Sequence, residues 1–205
     1  MRLLAFVLVL PLAGCSLATD PTLAPEPCPE STAPVTPTEY ERKDWGRWND
    51  EDKDCQDTRQ EVLIRDSSVD VTLDERGCKV VAGKWIDPYD GSEILESSKV
   101  DVDHVIALQD AHESGGWQWS YEEKRLFAND LSNLKASSQS TNRSKGARGP
   151  DEWLPPLDTA RCSYIEEWVG LKEGYELGMG EGEYTRITYM MEICSQGLVP
   201  PLPQG

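Results

Sequence analysis

Hydrophobic and polar positions along this chain fall into four successive regimes. Leu3 to Leu10 form an unbroken apolar run behind Arg2, too short to span a bilayer. From Ser16 to about Thr38 the chain is Pro, Thr, Ala and Ser with some Glu; no apolar period of either kind appears, as in an extended, disordered tether. Beyond Tyr40 short stretches alternate: Val69-Asp70-Val71-Thr72-Leu73, Lys79-Val80-Val81, and Lys99 to Ile106. A period of two predicts β-strands, and Asp74-Glu75-Arg76-Gly77 and Asp87-Pro88-Tyr89-Asp90-Gly91 supply the turns. The apolar segment Val62-Leu63-Ile64 falls in the same β-rich subdomain, and Trp45 and Trp48 ahead of it pack on the fold.

The pattern then becomes helical. After a Gly115-Gly116 turn, Ser120 with Glu123 forms a capping box that opens a helix running through about Ala128. Leu131 to Ala136 reads as a short turn and strand, and Ser140 to Gly146 as the start of a short helix or a tight loop. From Asp158 onward Tyr164, Trp168, Leu171 and Tyr175 recur at helical spacing, and from Glu181 so do Tyr184, Ile187, Met191 and Cys194. Gly178, Gly180 and Gly182 separate these two helices. An antiparallel pair sets the start of the first beside the end of the second, which brings Cys162 near Cys194.

The first residues are an export signal rather than part of the fold. Leu12-Ala13-Gly14-Cys15 resembles a bacterial lipobox, which implies cleavage before Cys15 and a lipid anchor on that residue; an ordinary secretory signal is the alternative. The expected organisation is residues 1–14 signal, 15–39 tether, 40–198 one folded domain and 199–205 a tail. Export permits disulfides. Of the six cysteines, Cys55 with Cys78 and Cys162 with Cys194 are the expected pairs, leaving Cys28 free if Cys15 carries lipid, or bridged to Cys15 if it does not.

A net charge of -17 argues against binding nucleic acid through the whole surface, because phosphate contacts need clustered Lys and Arg. Between Tyr121 and Gly149 the balance reverses: Lys124, Arg125, Lys135, Arg143, Lys145 and Arg148 face only Glu122, Glu123 and Asp130. That segment also holds chemistry. Cleaving a phosphodiester takes a base for water, a cation at the phosphate, and donors that position it. His104, at the end of the Val100 strand, is the candidate base, since an imidazole is largely neutral near pH 7. Asp103 and Asn142 offer the oxygen ligands a hard divalent cation prefers. Asn133 is placed to orient the His104 ring, and Lys145, beside Arg143 and Arg148, to meet the phosphate. Each residue also has an ordinary use, Asn142 as a helix cap and Asn133 as a turn residue. The acidic run from Asp50 to Asp57 reads as a solvated face, with a calcium site as its rival reading.

Taken jointly, Asp103-His104, Asn133-Leu134 and Asn142-Arg143-Ser144-Lys145-Gly146 resemble the HNH endonucleases of the His-Me finger superfamily. The longer pattern of Asp103 to Leu108, Phe127 to Asp130 and Glu152 to Pro156 is similar to exported bacterial nucleases related to the C-terminal domain of GmrSD restriction proteins. The resemblance covers about Trp85 to Cys194. It implies an α+β fold: a ββα-metal core, here with an N-terminal β-rich subdomain and a C-terminal helical pair. It further implies His104 as general base, Asp103 and Asn142 on one divalent ion, Asn133 orienting His104 and Lys145 on the phosphate. Asn142 stands where the family name suggests a third histidine; with fewer imidazoles Mg2+ is expected, then Mn2+, ahead of Zn2+. The expected protein is a monomeric, exported, lipid-anchored endonuclease acting on DNA, or on RNA, with little sequence preference. Its rival is a surface lipoprotein that binds nucleic acid or another partner through a nuclease-like fold without catalysis.

Overall fold

The structure, a computed structural model, describes residues 37–203. The expected signal segment, the Cys15 lipidation site, Cys28 and nearly all of the tether lie outside the described residues.

The first element after the N-terminal arm is a helix, α1 (Thr58–Asp66). Asp57 caps it by accepting from the Gln60 amide, and Thr58 and Val62, one turn apart, bury the same face. The reading of this region as β-rich is thus corrected in part: Val62-Leu63-Ile64 is helical. The rest is a three-stranded antiparallel sheet in the order β1 (Thr72–Leu73), β2 (Val80–Ile86), β3 (Glu93–Glu96). Of the alternating Val69 to Leu73 stretch, only Thr72 and Leu73 pair with β2. Trp85 of β2 is fully buried, and its indole donates to the Leu63 carbonyl of α1 at 2.8 Å.

A second sheet has two strands. β4 (Val100–His104) runs antiparallel to β5 (Leu134–Ser138), with Asp103 opposite Lys135 and His104 opposite Leu134. Between them lie α2 (Leu108–Glu113) and α3 (Tyr121–Ala128), the latter opened by the Ser120–Glu123 capping box. The six residues of α2 are too few to show a period, so no local pattern announces it. After β5 comes α4 (Gln139–Lys145), capped by Ser138 and stopped at Gly146, whose positive φ of 60° favours glycine. The C-terminal pair is α5 (Arg161–Gly174) and α6 (Glu181–Ser195). The expected Cys55–Cys78 and Cys162–Cys194 disulfides are both present.

Two apolar clusters result. Val62, Leu63, Val80, Trp85 and Ile94 pack against Val100, Leu134 and Ala136 of the β4–β5 ribbon. Trp45, Val105, Ile106, Phe127, Trp153, Ile165 and Trp168 belong to the larger cluster. The ribbon and the residues that follow β4 therefore serve both cores, which holds the end of β4 in place.

Candidate active site

β4 and α4 meet face to face, and their periodicities match. Asp101 and Asp103 are two apart on a strand and share a face; Asn142 and Lys145 are three apart on a helix and share a face. The Asn142 amide donates to Asp101 Oδ2 at 3.2 Å, and Lys145 Nζ donates to Asp103 Oδ1 at 3.1 Å and to the His104 carbonyl at 2.6 Å. The Tyr89 hydroxyl completes the Asp103 carboxylate by donating to Oδ2 at 2.6 Å. Lys145 has 0% and Asp103 4% of its side chain exposed, so this is a buried ion pair, each member of which holds one further hydrogen bond. Burial pushes the Asp103 carboxyl above its ordinary range, opposed by Lys145 and Tyr89, and holds the Tyr89 phenol well above its own.

His104 is set differently. Its Nε2 lies 2.9 Å from the Ala128 carbonyl at the end of α3. A carbonyl only accepts, so Nε2 carries the proton and Nδ1 of the neutral ring is the free base. The ring stacks on Trp48, with centroids 5.6 Å apart and planes within 9°. Removal from bulk water pushes its pKa down to about 4, with the Ala128 bond opposing and the Arg42 and Lys145 charges adding to the fall. At neutral pH it is uncharged.

Asp103, His104 and Asn142 line one cleft of about 260 Å3, together with Tyr40, Arg42 and Gln109. Two expected roles change. Asn133, fully buried, does not reach the imidazole: its Oδ1 accepts from the Ile106 amide at 2.8 Å and its Nδ2 donates to the Ile106 carbonyl at 3.1 Å. It holds the chain two residues past His104, and the ring is oriented by Ala128 and Trp48 instead. Lys145 does not face the cleft as a phosphate donor, because Asp103 and the His104 carbonyl hold its ammonium inside. Arg148 lies along α4, donating to the Lys145 and Ser144 carbonyls; Arg143 is exposed. The second histidine, His112, is buried against Tyr40 and bonds the Thr38 carbonyl, a packing role.

The donor set suits a hard cation. Asp103 uses two of its roughly four acceptor positions, and among the described residues the Asn142 side-chain oxygen, Oδ1, makes no hydrogen bond, so both side chains can offer oxygen to an ion in the cleft they line. A second group of oxygens lies elsewhere: Asp50, Asp52 and Asp54 have ligand atoms within 4.8 Å of one another.

Residues 56–179 match the family described as GmrSD restriction endonucleases, C-terminal domain. The chain belongs to that family. An uncharacterized secreted protein of Arthroderma benhamiae is 37% identical over 157 residues, covering 76% of this chain and 76% of that protein. No solved structure matches. The GmrSD C-terminal domain is nuclease-like, and the cleft lies inside it except for one contribution. Tyr40, Arg42 and Trp48 come from the arm that precedes the matched residues. Asn129 stitches that arm to the site, bonding the Asn49 amide, the Arg47 carbonyl and Thr58 beside the Ala128 carbonyl that holds His104. Asn129 falls in the quoted Phe127 to Asp130 motif, but a role that joins segments some 80 residues apart leaves no local pattern.

Replacing Lys145 by Met strands the Asp103 carboxylate, and urea unfolding at pH 7 is expected to show a loss of about 3–5 kcal/mol; Lys145→Met with Asp103→Asn recovers most of it. In metal-free protein the His104 ring is expected to titrate near 4, read from imidazole nitrogen shifts. Because that lies below the unfolded value of about 6.5, its contribution to stability is full above pH 6.5 and is lost as pH falls from there through about 4.

Proposed function

We propose that this protein is an exported, metal-dependent endonuclease of the HNH type that hydrolyses phosphodiester bonds of DNA, with RNA as the alternative substrate, and has low sequence specificity. The observation that carries this reading is a neutral imidazole with a free Nδ1 in the same cleft as a carboxylate and an amide oxygen. In this reading His104 Nδ1 takes the proton of a water molecule as its oxygen attacks phosphorus. Trp48 and the Ala128 carbonyl keep the ring from turning away, and Asp103 and Asn142 hold one divalent ion, Mg2+ by preference. The ion supplies charge stabilisation at the phosphate and the departing oxygen. The β4–β5 ribbon followed by α4 is the order of a ββα-metal core. With no reader element in the sequence, contacts would be to the backbone and sensitive to salt.

Delivery fits the same reading. The apolar leader and lipobox-like Cys15, two disulfides and a relative named as secreted support a protein that works outside the cytoplasm, lipid-anchored or released.

A second reading, a calcium-binding envelope protein, is favoured by one observation, the convergence of Asp50, Asp52 and Asp54. With Glu61 they have the spacing of positions 1, 3, 5 and 12 of a twelve-residue calcium loop. Cys55 stands at position 6, where that loop takes glycine, with a φ of 75°.

Plasmid cleavage at low salt by the purified protein with Mg2+, Mn2+, Ca2+ or EDTA, beside His104→Ala, tests the first reading. Cutting that needs metal and falls by at least about 10²-fold in the variant is expected; folded protein that cuts neither DNA nor RNA with any metal sinks it. The second predicts that millimolar Ca2+ raises the melting temperature, that Asp52→Asn with Asp54→Asn removes the shift, and that Asp103→Ala keeps it. A melting temperature indifferent to Ca2+ removes that reading.

A further inference from the structure

We propose that Arg42, from the arm that precedes the family domain, is the side chain that meets the substrate phosphate in the cleft; this rests on the nuclease reading above. A phosphodiester at His104 needs a cation from the protein as well as the metal, since negative charge grows on the phosphate oxygens as water attacks. The obvious candidates are spent or misplaced. Lys145 is wholly buried and bound to Asp103 and the His104 carbonyl. Arg148 lies on the last carbonyls of α4, and Arg143, exposed on that helix, is not among the residues that line the cleft.

Arg42 is the one cationic side chain among the described residues lining the cleft that holds Asp103, His104 and Asn142. One of its nitrogens donates to the Gly46 carbonyl at 2.8 Å, which leaves most of its five N–H donors for a ligand. A guanidinium fork matches two phosphate oxygens at once. The arm is also anchored on both sides of it. Before Arg42, the Thr38 carbonyl is bonded to buried His112 at 2.7 Å. After it, Trp45 is fully buried among Trp119, Phe127 and His112, and Asn129 bonds the arm twice more. Arg42 is thus exposed to solvent yet carried on a short 3-10 turn (Arg42–Trp45) that the core holds still. The positive patch anticipated at and after α4 is replaced by one arginine from the N-terminal arm.

The experiment compares wild type, Arg42→Ala, Arg42→Lys and, as a charge-matched control outside the cleft, Lys43→Ala. Steady-state cleavage of a short duplex with Mg2+ is read beside binding of the same duplex in a His104→Ala background over a salt series. The expected result is a fall in kcat/KM of about 10²-fold for Arg42→Ala, partial recovery with Arg42→Lys, and wild-type behaviour for Lys43→Ala. In the binding series Arg42→Ala should flatten the slope of log affinity against log salt by about 0.9, the signature of one lost phosphate contact; a merely structural arginine would not move that slope. If wild type cuts while Arg42→Ala keeps its rate and its salt slope, the assignment of Arg42 is wrong and the nuclease reading stands. If Arg42→Ala loses activity together with melting temperature, the slope is unchanged and Arg42→Lys restores nothing, the role is structural and the proposal is overturned. A wild type that neither cuts nor binds nucleic acid overturns both.

Discussion

The site depends on one buried ion pair. Asp103 and Lys145 face each other with almost no exposure to water, a state that costs several kcal/mol per ion unless good geometry and further hydrogen bonds offset it. Here the Tyr89 hydroxyl and the His104 carbonyl supply those bonds. The pair therefore demands that the turn before β3, the end of β4 and the last turn of α4 converge on one point. His104 follows Asp103 and its carbonyl is gripped by the same lysine, so fixing the pair fixes where the imidazole begins.

A second constraint completes the orientation. The ring is held by the α3 terminus through Ala128 and by Trp48 of the arm, while Asn133 ties the following residues to β5. Buried Asp87 does similar work on the other side, accepting from the Ser138 amide and the Thr141 hydroxyl where α4 starts. Asn133 and Asp87 are both buried and both fully engaged, which makes the arrangement rigid rather than merely compact. Around this rigid centre the surface is strongly acidic, so attraction for a polyanion has to come from a few local charges and any metal held in the cleft.

Much of the scaffold was legible in local pattern because local physics determines it. The capping box of Ser120 and Glu123, the alternation from Val100 to His104, the helical spacing of Tyr164, Trp168 and Ile187, and both disulfides appear as expected. Where the reading slipped, the segment was short or its pattern ambiguous. Val62-Leu63-Ile64 is apolar under either period, and a cap at Asp57 decided for helix; α2 has too few residues to declare itself.

Local pattern holds the inventory: one Asp-His pair at a strand end, two asparagines and a basic helix, all within the segment that matches the GmrSD C-terminal family. Which of these residues faces solvent follows from the fold alone. A lysine two residues from an exposed arginine looks like a phosphate donor in one dimension, yet Lys145 is drawn inward because a carboxylate 42 residues away waits there without water. Arg42 looks like an unremarked charge in an N-terminal arm, yet buried Trp45 and bonded Thr38 carry it to the cleft. Electrostatics in a folded protein is set by burial and distance, and neither is a property of neighbouring positions in a chain.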